Sequence, residues 1–238
     1  MPNAAPPEGR VQRKWHWLQT VPLVRYAKKA RRKLRNAYYR YFGANRLKHA
    51  LRTNPSPRLV IGSSGRHDAG WIPTEKHFLN LLHTEQWKRF FVSNSIAALL
   101  AEHVWEHLTP EEARVATETC FAYLRPGGYL RIAVPDGLHP DPVYIALVKE
   151  QGLTPDEHGD FYLNDHKVLY TYRTARDLFE KAGFHVELLE YFDEAGTFHA
   201  HEWKQQDGTI WRSKRFDRRN QGAELAYTSI ILDAVRPQ

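Results

Sequence analysis

The sequence has one cysteine and no long hydrophobic run, and each shortage excludes a class of protein. Cys120 alone can form neither an intrachain disulfide nor a thiolate-rich metal cluster, so nothing indicates an oxidising compartment. No apolar stretch approaches the roughly 18 to 20 residues that a membrane-spanning helix needs. The proline-rich residues 1–10 lack the apolar centre of a secretory signal. We therefore expect a cytoplasmic protein, with peripheral contact at the inner membrane surface left open.

Acidic residues are almost absent from residues 1–52, where 14 Lys or Arg stand against Glu8 alone. Aromatic residues and leucines alternate with the cations over residues 24–52, which predicts one or two amphipathic helices. Such a segment binds an anionic membrane, the acidic remainder of its own chain or, least favoured here, a nucleic acid. The anchors for a membrane contact are Trp15, Trp17, Leu18 and Leu23.

Two prolines, Pro55 and Pro57, divide the chain into a basic helical extension, residues 1–54, and one domain, residues 55–238. In that domain short apolar runs alternate with amphipathic stretches, which predicts an α/β fold around a mostly parallel sheet. The predicted strands are 58–61, a short one within 70–75, 96–101, 129–134, 186–191 and 228–235. The predicted helices are 84–90, one beginning near 102–103, 110–124 behind Thr109 and Pro110, and 174–182.

Small residues follow the first predicted strand. Gly62, Ser63, Ser64 and Gly65 allow a tight turn and let backbone N–H groups approach a ligand closely. Glu75 ends the next strand about ten residues later, where an acid accepts both ribose hydroxyls in nucleoside-binding sheets. The pattern indicates a nucleoside site, although a glycine-rich turn alone is a weak signal.

Four histidines stand at predicted carboxyl ends of strands, where open α/β sheets bind ligands. Histidine titrates near neutral pH and suits a base that removes a proton. His103 and His166 are our first candidates, ahead of His107 and His139, and a structural histidine is the alternative for each. His103-Val-Trp-Glu106-His107 also has the H-x-x-E-H spacing of inverted zinc peptidases, but it falls where a strand is predicted to end.

The segments LVIGSSG, GWIPTE, LLAEHVWEHLTPEEA, YLRPGGYLRIAVPD and LFEKAGFHVELLEYF, in this order, resemble the class I S-adenosylmethionine-dependent methyltransferases. The resemblance covers residues 58–235 and is closest to a bacterial, methyltransferase type 11-like branch. Its most specific piece is EHVWEHL followed some twenty residues later by LRPGGYLRIAVPD. It implies a doubly wound, mostly parallel seven-stranded sheet, a Rossmann-like methyltransferase fold, with S-adenosylmethionine as cofactor.

The resemblance also implies residue roles. The methionine end of the cofactor would lie against residues 62–65 and its ribose at Glu75. Two features depart from the family: Val60 stands where an acid is common, and Ser63 and Ser64 interrupt the glycines. The remaining implied cofactor contacts are Asn80, Leu81 and Glu102, and the implied catalytic residues are His103, Glu106, His107 and His166.

A metal is the remaining alternative at this site. A few small-RNA methyltransferases of this fold hold a divalent ion with a Glu-His pair and a later histidine, and His166 lies at a comparable remove from Glu106-His107. Because the generic form of this helix binds none, we expect no metal.

The predicted activity is methyl transfer to an oxygen or nitrogen of a small molecule or of a glycan or lipid-linked precursor. Two loop-like stretches, 135–172 and 192–220, would form the acceptor pocket. The competing hypotheses are a binding or regulatory protein that keeps the fold without the chemistry, and an RNA methyltransferase. The stretches offer Tyr162, Trp203 and Trp211 for stacking and Arg212, Lys214, Arg215, Arg218 and Arg219 for an anionic group.

Overall fold

The computed structural model of the protein describes residues 30–31, 33–34, 36–149, 152–155, 161–164, 166–220, 222 and 225–238, with residues 152–155 and 161–164 as backbone alone. A π-helical turn, Tyr39–Gly43, precedes the first helix, and short 3₁₀ turns cover Trp105–His107, Gln205–Asp207 and Arg218–Asn220. The other elements are, in chain order, α1 (Ala44–Arg52), β1 (Arg58–Ile61), β2 (Ile72–Pro73), α2 (Thr84–Lys88), β3 (Ile96–Glu102), α3 (Pro110–Tyr123), β4 (Leu124–Pro135), α4 (Pro142–Lys149), β5 (Gly152–Pro155), β6 (Phe161–Asn164), α5 (Tyr172–Lys181), β7 (His185–Phe192), β8 (Phe198–Ala200) and β9 (Ser229–Val235).

Seven strands form one mixed sheet in the order β2-β1-β3-β4-β9-β7-β8, and β5 pairs with β6 in a separate hairpin. The neighbours β2, β1, β3 and β4 are parallel, whereas β9 runs antiparallel to both β4 and β7. Five strands of the sheet therefore point the same way. The predicted seven-stranded, mostly parallel sheet with flanking helices is confirmed, and the carboxyl ends of β1 to β4 meet at one edge.

Helices α1, α2, α3 and α5 pack on one face of this sheet, whereas α4 packs with Tyr227 in a separate cluster. Leu59 of β1 and Leu130 of β4 lie in one core with Cys120 of α3 and Phe179 of α5, all inaccessible to solvent. Helix α1 joins the same core through Leu47, which is 1% exposed. The last part of the basic segment is therefore docked on the domain.

The opposite face is covered by residues 203–214, which we call the cover segment. Trp203 and Ile210 of this segment pack with Leu100 and Ile231 of the sheet. Among the described residues, no helix contributes to this second core. Apart from one 3₁₀ turn, the cover segment has no regular structure, so its buried N–H and C=O groups need partners outside a helix or ladder.

Charged side chains of the sheet supply those partners. Arg131, 2% exposed, donates to the carbonyl of Gly208 at 2.9 Å while it holds Asp233 in a bidentate pair. Glu190, 3% exposed, accepts from the backbone N–H of Lys214 at 2.8 Å. Buried charges on the second face of the sheet thus hold the segment that covers it.

Helix α3 begins where the sequence predicts. Thr109 accepts from the N–H of Glu112, the Glu112 carboxylate accepts from the N–H of Thr109, and Pro110 occupies the first turn. The expected helix start near residues 102–103 is different: His103 has a left-handed backbone, φ 55°, which ends the strand and delays the helix.

The two stretches predicted as loops contain regular elements. Helix α4 and the β5–β6 hairpin lie within residues 135–172, and β8 lies within 192–220. The signal for α4 was present, because Asp141 precedes Pro142 and its carboxylate accepts from the N–H of Val143 as a cap does.

The basic extension is described only in part. Residues 1–29, with all four predicted membrane anchors, lie outside the described residues. The described helices include none that is both long and apolar enough to cross a membrane. The boundary predicted after residue 54 stays a prediction.

We expect Glu190→Gln to lower the free energy of unfolding by about 1–3 kcal/mol. The carboxylate accepts from Lys214, Thr228 and Trp203, and an amide would turn a donor toward one of these donors. Denaturant unfolding measures the loss, with Glu187→Gln, a substitution of an exposed residue of the same strand, as the control. Equal effects of the two substitutions would contradict this account of the cover segment.

Candidate functional site

The turn after β1 combines unusual backbone conformations with open space. Gly62, Ser64 and Gly65 all have positive φ, of 61°, 47° and 86°. Left-handed backbone costs a non-glycine residue roughly 1–2 kcal/mol, and Ser64 bears that cost. A Cβ added at Gly65 would meet nothing within 4 Å, so the outer side of the turn can receive a ligand.

Glu75 is tied to this turn. The hydroxyl of Ser63 donates to Oε1 of Glu75 at 2.9 Å and accepts from the N–H of Gly65 at 3.2 Å. The backbones are tied as well, since the N–H of Ser63 donates to the carbonyl of Thr74. An acidic side chain and a glycine-rich turn therefore stand together at the carboxyl ends of two adjacent parallel strands.

The two residues predicted near adenine have structural contacts. The side-chain oxygen of Asn80 accepts from the N–H of Leu82, and its carbonyl accepts from the indole of Trp87. Leu81 is buried in the main core, 5% exposed. Val60, at the position of the missing acid, is buried in the second core.

Glu102 ends β3 and holds the cover segment. Its two carboxylate oxygens accept from the N–H groups of Arg212, at 2.7 Å, and Trp211, at 3.1 Å. The carboxylate predicted to contact the cofactor thus has two backbone partners. It also brings the Arg212 side chain beside the residues that follow β3.

His103 follows Glu102 directly, and its backbone has the left-handed conformation described above. Its Nε2 lies 3.0 Å from the hydroxyl of Ser229 at the start of β9, and its ring stacks near Tyr227. Burial lowers the pKa of His103 well below its usual value, and the Arg212 guanidinium lowers it further. His103 is therefore a neutral imidazole at physiological pH.

Glu106 lies in the 3₁₀ turn below His103 and is fully buried. Its Oε1 is 2.9 Å from Nδ1 of His103, but the contact lacks the direction of a hydrogen bond, and neither oxygen has a hydrogen-bond partner among the described residues. Burial raises the pKa of Glu106 to about 7, against the smaller opposing effect of His107.

His107 and His166 face each other, with ring centroids 5.0 Å apart. Two backbone bonds bring His166 there, because the N–H groups of Lys167 and Val168 both donate to the carbonyl of Glu106. Nδ1 of His166 lies 2.7 Å from the carbonyl of Val148, and because a carbonyl can only accept, Nδ1 is the donor in this bond.

The four residues predicted as catalytic thus lie together, although 59 positions separate His107 from His166 in the chain. Sequence reasoning missed Ser229 and Tyr227, which enter from the last strand and the residues before it. The two residues could have been found only by knowing which predicted strands are neighbours in the sheet. The sequence alone does not give that order. His139, another candidate, instead stacks on Tyr144 at 3.9 Å, and burial lowers its pKa.

The predicted acceptor residues have separate places. Trp203 is a packing residue, stacked under the Arg131 guanidinium, whereas Trp211 is 39% exposed. Arg219 pairs with Asp217 and lies over the Tyr227 ring. The side chain of Tyr162 lies outside the described residues.

Comparison with known proteins finds similarity at the level of structure. No family model matches the chain, and no curated protein matches it in sequence. The solved structures to which it is similar include several S-adenosylmethionine-dependent methyltransferases.

One is a methyltransferase of Methanosarcina mazei, with a TM-score of 0.44 and 12% identity, covering 77% of this chain and 93% of that one. A second, of Archaeoglobus fulgidus, has a TM-score of 0.41 and 13% identity, covering 83% and 94%. A third is the 1,6-didemethyltoxoflavin-N1-methyltransferase of Burkholderia thailandensis with bound 1,6-didemethyltoxoflavin and S-adenosylhomocysteine. Its TM-score is 0.40 at 13% identity, covering 100% and 94%. At these identities the similarity says nothing of the acceptor.

Proposed function

We propose that the protein is an S-adenosylmethionine-dependent methyltransferase that acts on an oxygen or nitrogen of a small molecule or of a glycan or lipid-linked precursor. The observation that carries the proposal is the bond from Ser63 to Glu75. It fixes a carboxylate beside a glycine-rich turn at the carboxyl edge of a mostly parallel sheet, which is the arrangement that binds nucleosides.

The residues present fit the cofactor. Gly65 leaves open space for a ligand beside the turn, and Glu75 offers a carboxylate for the ribose hydroxyls. Ser63, one of the two serines that interrupt the glycines of the turn, holds that carboxylate by donating a hydrogen bond to it. The Glu102 carboxylate, the proposed substitute for the acid missing at Val60, already accepts from two N–H groups of the cover segment, so a contact with the cofactor's amino group would share these oxygens.

The cluster of His103, Glu106, His107 and His166 lies beyond the carboxyl end of β3, which is the parallel neighbour of β1 and its glycine-rich turn. S-adenosylmethionine supplies a methyl group already activated on a sulfonium, so the protein has to align the acceptor and receive its proton. His103, Glu106, His107 and His166 form the group that receives the proton. A carboxylate with a pKa of about 7 has the proton affinity that such a role requires near neutral pH.

Calorimetry should detect S-adenosylmethionine and S-adenosylhomocysteine binding to the purified protein. Because Glu75→Gln keeps the bond from Ser63 but cannot accept from two ribose hydroxyls, we expect roughly ten- to hundredfold weaker binding. Glu85→Gln, an exposed acid on α2, is the control. No detectable binding of either ligand at millimolar concentration would remove the enzyme proposal and leave a protein that keeps the fold alone.

We also propose that the basic extension contacts an anionic lipid surface. Before α1, an exposed stripe runs at helical spacing: Leu34 is 73% exposed, Tyr38 56%, Tyr41 67% and Phe42 48%. The described cations beside it, Arg31, Lys33 and Arg40, are exposed too. Since α1 is already docked through Leu47, the part that remains exposed combines apolar anchors with positive charge, which suits an anionic membrane.

Vesicle co-sedimentation tests this contact. The full chain should bind vesicles that contain phosphatidylserine and should not bind phosphatidylcholine alone. Tyr41→Ser with Phe42→Ser should weaken binding by roughly tenfold through lost apolar burial. Val92→Ser, which changes an apolar residue 78% exposed elsewhere, should have no effect. Binding to RNA without binding to vesicles would contradict the proposal.

A further inference from the structure

We infer that Glu106, His107 and His166 form a binding site for one divalent transition-metal ion. The inference concerns a different property from cofactor binding, and it reverses the expectation of a metal-free site that the sequence suggests. It is based on the positions of three donor atoms, the burial of one of them and the orientation of another.

The three residues offer donor atoms that lie within 4.8 Å of one another. Ligand atoms about 2.1 Å from a tetrahedral ion are about 3.4 Å apart, so small side-chain rotations bring the three to an ion. Two imidazoles and one carboxylate are the ligands of Zn²⁺ and of related transition metals rather than of Ca²⁺ or Mg²⁺.

The carboxylate of Glu106 is buried without compensation. Two other acids that are fully or almost fully buried accept hydrogen bonds: Asp136 from the N–H groups of Leu138 and Phe192, and Glu190 from three donors. Glu106 is 0% exposed, and within the described part of the chain its oxygens accept none. A buried carboxylate needs a hydrogen-bond donor or a cation, and a metal ion held with the two histidines is such a cation.

His166 is already oriented as a ligand. A metal-bound histidine usually donates its second ring N–H to a carbonyl or carboxylate, which fixes the tautomer. The bond from Nδ1 of His166 to the carbonyl of Val148 is of this kind and leaves Nε2 as the donor atom. The bonds from Lys167 and Val168 to the Glu106 carbonyl hold this histidine against the carboxylate before any ion binds.

Three protein ligands leave at least one coordination position for an exogenous group. If the proposed methyl transfer holds, that group would be the acceptor hydroxyl, and the ion would make its proton easier for a neighbouring base to remove. The acceptor class is then a hydroxyl compound that can bind a metal. His103, at 2.9 Å from Glu106 but outside the donor set, is the side chain of the cluster that would remain available to receive this proton.

Metal titration of the full, chelator-treated chain tests the site. We expect one Zn²⁺ per chain with a dissociation constant at or below the micromolar range, and Co²⁺ should give the visible absorption of a low-coordinate site. Glu106→Gln and His166→Ala should each weaken binding by at least about a hundredfold. His199→Ala, which removes a histidine paired with Asp193 at 2.7 Å, should leave it unchanged.

A stability measurement separates lost binding from lost folding. Without metal, Glu106→Gln should be at least as stable as the wild type, because it replaces a buried carboxylate that accepts no hydrogen bond from the described residues by a neutral amide. With Zn²⁺ at a hundredfold excess over the dissociation constant, only the wild type should gain about 5–10 °C in Tm.

Equal Zn²⁺ affinity in the wild type, Glu106→Gln and His166→Ala, or no binding at millimolar Zn²⁺, would overturn the inference. Calorimetry with S-adenosylmethionine is independent of these titrations. Cofactor binding without metal binding would therefore reject the metal site alone, and metal binding without cofactor binding would reject the methyltransferase proposal alone.

Discussion

In the part of the chain that the structure describes, one face of the sheet is covered by an irregular segment instead of a helix, and the structure depends on how that segment is held. The cover segment, residues 203–214, lacks the internal hydrogen bonds that a helix would bring, so its backbone is satisfied by charged side chains of the strands. Arg131, Glu190 and Glu102 each hold a different part of it. Since a buried charge is tolerated only when it is hydrogen-bonded, the charges and the segment stabilise each other. Without the segment these charges would be buried without partners, and without the charges the backbone groups of the segment would lack theirs.

The same constraint shapes the candidate site. Glu102 is the last residue of β3, and by holding Trp211 and Arg212 it brings a guanidinium next to His103, where the positive charge helps to keep the imidazole neutral. The turn that follows buries Glu106 and directs it toward the histidines. The Glu102 carboxylate therefore binds the backbone of the cover segment, whereas the Glu106 carboxylate, four positions later, accepts no hydrogen bond from the described residues.

The sequence predicted the sheet, the cap at Thr109 and the four residues of the cluster, because these depend on local pattern or on resemblance. It did not predict the cover segment, since the anchors of an irregular chain are distant residues with no periodic signal. Nor did the sequence predict that Glu102 binds the backbone of the cover segment, because an acid at the end of a strand suggests a cofactor contact. His103 gave no sign of its positive φ, because a histidine at a left-handed position follows from tertiary contacts rather than from propensity.

The place of β9 has a consequence for how the molecule is made. This strand follows every other strand in the chain, yet it lies in the middle of the sheet, between β4 and β7, and Ser229 at its start contacts His103. During synthesis β7 and β8 therefore emerge with no edge to join, and the cluster after β3 has no wall on that side. Pairing of strands that are far apart in the sequence is slow. The sheet therefore stays open between β4 and β7 until β9 has inserted there. The cluster after β3 therefore gains its contact with Ser229 only when β9 joins the sheet.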